Sequence, residues 1–174
     1  MPQETFFFST SQQSAAQQAK KRRKRVFVII AQVFYLLIIG LAIFTLVNRN
    51  AAVKSIAALD FQGAVTSFNR TPLRGVIFPK DDAYVSAAQL VVEHQYDEAV
   101  AAFEQLSEDP RAAVAASEAK YQKAVYYYTS GDYEAASSAF KDVGDYRNSV
   151  QMEQDSRCQQ AAKLVAETEY DEAF

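Results

Sequence analysis

A long apolar run near the N-terminus limits most strongly how this chain can fold. Residues 26–47 read VFVIIAQVFYLLIIGLAIFTLV, and their clearly polar interruptions are Gln32 and Thr45. As a helix this run is about 33 Å long, which matches the roughly 30 Å hydrocarbon core of a bilayer. It is apolar on every side, and a helix satisfies its own backbone hydrogen bonds in lipid. The run therefore predicts a single transmembrane helix over residues 26–47.

Six consecutive cations, Lys20 to Arg25, precede the apolar run, whereas Arg49 and Lys54 follow it. The positive-inside rule predicts a cytoplasmic N-terminus and an extracytoplasmic location for residues 48–174, in the cell membrane. The six cations are also expected to contact anionic lipid headgroups. A cleaved secretory signal is the alternative, although this run is longer than a signal's apolar region and VNRNAA is a poor cleavage site.

Charge is divided unevenly along the chain. Residues 1–25 carry six basic groups and one acid, a net 6 − 1 = +5, whereas residues after 47 carry 12 basic and 20 acidic groups, a net 12 − 20 = −8. The acidic body argues against nucleic acid as a partner, because phosphate binding needs a basic face. Residues 1–19 are rich in Gln, Ser and Ala without a sustained period, so residues 1–25 are predicted to be a disordered cytoplasmic tail with a basic run.

An internal repeat organises the rest of the chain. The segment YDEAVAAF at 96–103 returns as YEAASSAF at 133–140, 37 residues later, and residues 170–174 read YDEAF. Within each copy the shared residues are spaced as one face of a helix, which predicts a stripe that packs against a second helix. The predicted core positions of the repeats are Tyr96, Ala99, Phe103, Ala124, Tyr133, Ala136, Phe140 and Ala161.

Turn and cap signals separate the predicted helices. Ser130-Gly131-Asp132 combines a glycine stop with an acidic start, and Asp109-Pro110 is typical of a helix N-terminus. His94 and Thr168 occupy the same repeat position as Gly131, so His94 is predicted to be a surface turn residue. Acidic pairs, among them Asp81-Asp82, are predicted to lie in first turns, where they offset the helix dipole.

The repeats are predicted to span residues 80–174, after a weaker first repeat and connecting insert at 48–79. Residues 71–79, TPLRGVIFP, break the period and are predicted to be irregular. The second helix of the last repeat is predicted to start at Tyr170 and to be truncated at Phe174. The chain is therefore expected to be an N-terminal piece of a longer protein.

These motifs resemble tetratricopeptide-type helix–turn–helix repeats, over roughly residues 50–174. The wording G-D-Y-x-x-A-x-x-x-F at 131–140 is similar to divergent repeats common in Gram-positive bacterial proteins. The chain departs from the family in its period of 37 residues, against about 34, and in lacking the opening Trp and Leu-Gly pair. The resemblance implies an all-α solenoid that binds a protein or peptide. An ordinary Ala-rich helical bundle is the alternative.

The sequence offers no catalytic constellation. It has one histidine and one cysteine, His94 and Cys158, and neither a phosphate-binding P-loop nor a dinucleotide-binding glycine motif. We therefore predict that the chain is not an enzyme and uses no metal or cofactor.

Tyr126 is the candidate partner contact, because three adjacent tyrosines at 126–128 cannot all face inward on a helix. Packing of Tyr126 against the 71–79 insert is the alternative for that residue. The predicted function is a membrane-anchored scaffold for a protein or peptide partner. The alternatives are a non-catalytic part of an envelope enzyme or transport machine, and a self-associating structural module.

Overall fold

A computed structural model describes the backbone of residues 4–171 and the side chains of residues 20–168. Over this range the chain forms eight α-helices and no strand, so the prediction of an all-α protein is confirmed for the described residues. The chain divides into two compact units, residues 1–46 and residues 47–174. The helices are α1 (Glu4–Ala57), α2 (Phe61–Asn69), α3 (Arg74–Ile77), α4 (Pro79–Val92), α5 (Tyr96–Gln105), α6 (Pro110–Thr129), α7 (Tyr133–Val143) and α8 (Ser149–Asp171).

Helix α1 provides the first unit and extends into the second. Its segment Lys20–Ala57 contains a window of mean hydropathy 2.8 and is long and apolar enough to cross a membrane. The helix begins at Glu4, so the backbone of residues 4–25 is helical here, whereas the sequence predicts a disordered tail. Gln, Ala, Lys and Arg have good helix propensity, and extending an existing helix avoids the cost of nucleating a new one. Residues 1–3 of that tail lie outside the described residues.

In the second unit each of the longer helices from α2 onward packs against the next longer helix along the chain. Helix α2 packs on α4, α4 on α5, α5 on α6, α6 on α7 and α7 on α8, while the short α3 contacts α4. The larger hydrophobic core contains Ala52 and Ile56 of α1 together with residues of α2, α4, α5 and the first half of α6. A smaller core forms around Phe140, with Ala124 and Ala136.

Three turns in this unit have the same backbone geometry. Leu59, His94 and Gly131 have positive φ angles of 57°, 60° and 79°, and each lies two residues before the next helix begins. In all three, the amide of that residue donates to the carbonyl three residues back, and the next amide donates to the carbonyl five residues back, at 2.8–3.2 Å. This is the Schellman arrangement, which ends a helix and satisfies its last carbonyls. The three helix ends therefore have equivalent backbone hydrogen bonds, although the residue with positive φ is glycine in one turn and leucine or histidine in the other two.

Two other segments differ from the sequence-based expectation. Residues 71–79 include the short helix α3, which follows Leu73 at a φ of 52°. Helix α8 continues through Thr168 and Tyr170 to Asp171, so the predicted turn at Thr168 is wrong. Among the described residues no further helix is available to fold back on α8, and continuing the helix gains one backbone hydrogen bond per residue. Residues 172–174, including Phe174, lie outside the described part.

Candidate interaction surface

The three adjacent tyrosines near the end of α6 differ in exposure, as a rotation of about 100° per residue requires. Tyr126 is 45% exposed, whereas Tyr127 and Tyr128 are half-buried and pack against the smaller core. The structure therefore places Tyr126 on the surface, as the sequence predicts.

Tyr126 belongs to an aromatic surface that we define by His94, Tyr96, Tyr126 and Tyr127. The imidazole of His94 stacks on the Tyr126 ring with centroids 5.2 Å apart and an interplanar angle of 29°. The Tyr96 ring lies 6.0 Å from that of Tyr126, and the Tyr127 ring lies 6.1 Å from it. These ring contacts connect Tyr126 to the α4–α5 turn.

His94 holds this surface together from the turn. It is exposed, as predicted, its backbone is left-handed, and its ring contacts the rings of both Tyr96 and Tyr126. His94 Nδ1 and the Tyr96 hydroxyl are 2.8 Å apart, within hydrogen-bonding distance. Burial and the neighbouring Tyr126 raise the pKa of Tyr96, so its phenol is neutral at physiological pH. His94 is thus both a turn residue and part of the surface.

One ion pair borders the aromatic surface. Lys123 Nζ lies 2.6 Å from Asp97 Oδ1 and 6.0 Å from the centroid of the Tyr127 ring. Its hydrogen bond to the Asp97 carboxylate raises the pKa of Lys123, which therefore remains charged. Flat aromatic faces next to a paired charge suit contact with a peptide or protein side chain rather than covalent chemistry.

The predicted repeat-core residues lie in different surroundings. Tyr96, Ala99 and Phe103 are buried in the larger core, and Ala124, Ala136 and Phe140 form the smaller one. Tyr133 is half-buried, with its ring 5.6 Å from that of Tyr128 in an edge-to-face contact. Ala161 is exposed on α8.

The expected burial of Ala161 is therefore not met. Ala87 and Ala124, at the equivalent repeat positions, are 2% and 0% exposed because α5 and α7 follow them and cover their faces. No helix in the described part of the chain covers the corresponding face of α8. The missing neighbour explains the exposure.

A buried charge cluster was not predicted from the sequence. Asp81 lies in the first turn of α4, as expected, but it is 7% exposed and bonds two arginines. Arg49 Nε donates to Asp81 Oδ2 at 3.0 Å, and Arg111 Nη2 donates to Asp81 Oδ1 at 3.2 Å. The carboxylate thus connects residues 47–57 of α1 with α4 and α6. Because Arg49 is 32 residues before Asp81, no local pattern could have indicated the pair.

Arg111 also fixes the start of α6. Asp109, the predicted N-cap, accepts from the Arg111 amide at 3.0 Å and from Arg111 Nε at 2.8 Å. The hydrogen bond from the guanidinium holds the pKa of Asp109 below its usual range. The Arg111 guanidinium lies over the Tyr84 ring, and burial raises the pKa of Tyr84 to about 12.

A groove of about 520 Å³ lies beside this cluster, where α4 and α6 begin and α5 ends. Its apolar lining comes from Pro79, Ala83, Leu106 and Pro110. Two residues of opposite charge, Lys80 and Glu108, also line it. Among the residues with described side chains, no three His, Cys, Asp or Glu come together as a metal-binding group.

Comparison of the chain with models of known protein families, with curated proteins and with solved structures gives no match. The resemblance to tetratricopeptide repeats therefore stays a prediction that rests on the residues. The function is inferred below from the geometry of the chain itself.

Proposed function

We propose that this chain is a membrane-anchored helical-repeat scaffold that binds a protein or peptide partner at the extracytoplasmic surface. The anchor would be residues 26–47, the scaffold residues 48–174, and the contact the aromatic surface around Tyr126. The preorganised aromatic surface, in which His94 and Tyr126 are exposed, is the observation on which the binding role rests.

The anchor is supported by the length and composition of α1. Apart from Thr45, the side chains of its apolar run are exposed, which is costly in water and favourable in lipid. The cations at 20–25 favour a cytoplasmic N-terminus by the positive-inside rule, so the helices after residue 47 would lie on the other side.

The repeat arrangement is supported by the backbone as well as by the residue pattern. The turns at Leu59, His94 and Gly131 share one hydrogen-bonding scheme, and Phe68, Phe103 and Phe140 follow them at related positions in α2, α5 and α7. All three phenylalanines are at most 1% exposed. Such successive helix pairs bury one face against the next pair and leave an extended surface for a ligand.

The binding role is supported by the order of the aromatic surface. His94, Tyr96 and Tyr127 already hold the Tyr126 ring through ring contacts. A partner would therefore bind a preformed surface and lose little side-chain entropy on ordering it. Tyrosine is also enriched at protein interfaces because it combines a large apolar ring with one hydroxyl.

Sidedness is tested with Cys158, the single cysteine of the chain, which is exposed on α8. In intact cells that express the full chain, a membrane-impermeant maleimide is expected to label Cys158. Labelling that requires permeabilised cells would show that the repeats face the cytoplasm, and the proposed sidedness would be wrong.

Binding is tested with a photoreactive phenylalanine analogue at Tyr126, irradiated in intact cells. A discrete crosslinked product is expected there, but not with the same analogue at Val114, which lies on α6 and is 47% exposed. His94→Gly removes the stacked imidazole and keeps a residue suited to positive φ, as Gly131 is in its own turn. This variant is expected to lower the crosslinking yield at Tyr126, and equal products at both positions would contradict the proposal.

A further inference from the structure

Two polar side chains inside the apolar run have no hydrogen bond among the residues that the structure describes. They are Gln32 and Tyr35, and both are exposed on α1. Thr45 is accommodated differently, because its hydroxyl donates to the backbone carbonyl of Leu41 at 2.8 Å. The run therefore contains one polar group satisfied by its own helix and two that need a partner from outside it.

Neither group can reach water easily from within a bilayer. Gln32 lies roughly 9 Å and Tyr35 roughly 14 Å along the helix from Val26, at a rise of about 1.5 Å per residue. A primary amide and a phenol left without partners in hydrocarbon are strongly unfavourable. Their position thus favours a second helix that supplies the missing hydrogen bonds.

The same two residues belong to a continuous seam on α1. Starting at Val28, positions spaced alternately by four and three residues lie on one face of the helix, and this spacing lets two helices pack along their length at a small angle. Thr45 lies about 100° around the helix from the midline of this face, by the rotation of about 100° per residue. The seam consists of Val28, Gln32, Tyr35, Ile39, Ala42 and Leu46, all of them exposed.

We propose that this seam binds a second copy of the same chain in the membrane, with Gln32 paired to Gln32 of the other copy. The proposal rests on the proposed membrane anchoring. Two identical chains insert in the same direction, so the two Gln32 amides lie at the same depth. An amide has both donors and an acceptor, so it is complementary to itself, and such a pair also fixes the register of two packed helices. Tyr35 adds a hydroxyl donor on the same face.

The test measures Förster energy transfer in vesicles that contain the full chain, labelled at Cys158 with donor or acceptor. The vesicles include anionic lipid, because a parallel pair brings the two cation runs at 20–25 together and anionic headgroups offset their repulsion. Transfer is expected for the unmodified chain, and it should fall as lipid is added at constant protein. Alkaline extraction of the same vesicles reports insertion separately.

Gln32→Leu is expected to weaken association by about threefold to 30-fold, the range measured for hydrogen bonds between membrane helices. Gln32→Asn keeps an amide and should retain most of the transfer. Thr45→Val is the matched control, since it removes a hydroxyl that its own helix satisfies and that lies off the seam, and it should leave transfer unchanged.

The outcomes separate this inference from the proposed function. An inserted chain without transfer, or with equal transfer in Gln32→Leu, overturns the paired seam and leaves the anchored scaffold standing. Equal transfer would place any self-association in the repeat helices instead. A chain that alkaline treatment extracts overturns the anchor and the paired seam together.

Discussion

Replacement of Phe103 by alanine tests the packing of the larger core. The Phe103 side chain is 1% exposed, and its ring lies 5.1 Å from that of Tyr84 on α4 and 5.8 Å from that of Phe61 on α2. Truncation of a buried phenylalanine costs about 3–5 kcal/mol in the free energy of unfolding. Two aromatic contacts of about 0.5–1.5 kcal/mol each are lost as well, so we expect a value near the upper end, about 4–5 kcal/mol.

The assay is urea unfolding of the full chain in detergent micelles, followed by far-ultraviolet circular dichroism. The apolar part of α1 stays helical in the micelle and forms a constant baseline, so the transition reports residues 47–174. Tyr126→Ala is the matched control, because it also removes an aromatic ring but from a side chain that is 45% exposed. We expect this control to cost about 1 kcal/mol, from its lost ring contacts.

The comparison between the two variants decides the interpretation. If Phe103→Ala and Tyr126→Ala lower the stability equally, or if Phe103→Ala costs less than about 2 kcal/mol, the ring does not occupy a tightly packed core. The arrangement of α2, α4 and α5 around it would then be wrong.

Three further outcomes are expected. Phe140→Ala should speed amide hydrogen exchange in α7 and α8 but not in α4 and α5, because Phe140 belongs to the smaller core. Hydrogen exchange followed by mass spectrometry checks this, and equal acceleration in all four helices would contradict it. Asp109→Asn should reduce the loss of stability that acid causes below about pH 4, as measured by urea midpoints. The hydrogen bond from Arg111 lowers the pKa of Asp109 in the folded state. The stabilisation from Asp109 is therefore complete above the ordinary carboxyl pKa and disappears as the pH falls through the lower pKa of the folded state. Gly131→Ala should destabilise by about 1 kcal/mol, because Gly131 has a positive φ that a residue with a Cβ adopts only at a cost. A thermal melt without any loss of stability would contradict the turn geometry.

Local features of the fold could be predicted because they are encoded in neighbouring residues. The spacing of Tyr96, Ala99 and Phe103 predicts one helix face, and all three are buried on α5. Asp109-Pro110 and Gly131-Asp132 lie at helix boundaries for reasons of backbone geometry that hold in any protein. The apolar run at 26–47 is helical and long enough to span a bilayer for the same kind of local reason.

Predictions at the end of the repeat were less successful, because the repeat pattern alone does not supply a packing partner. Ala161 matches Ala87 and Ala124 in the sequence, yet it is exposed, and Thr168 matches Gly131 in position, yet α8 continues through it. A turn that requires a left-handed residue is stabilised by the second helix that packs after it. Without that helix among the described residues, the repeat position does not determine the backbone.

The sequence by itself thus determined α5, the turns before α6 and α7, and the apolar segment, since each depends on interactions within a few residues. Only the tertiary structure decided which distant side chains meet. Asp81 joins Arg49 from 32 residues away, and His94 stacks on Tyr126, also 32 residues away in the chain. These contacts form because packed helices bring separate segments to within a few ångströms, and no local periodicity records which residues will then face each other.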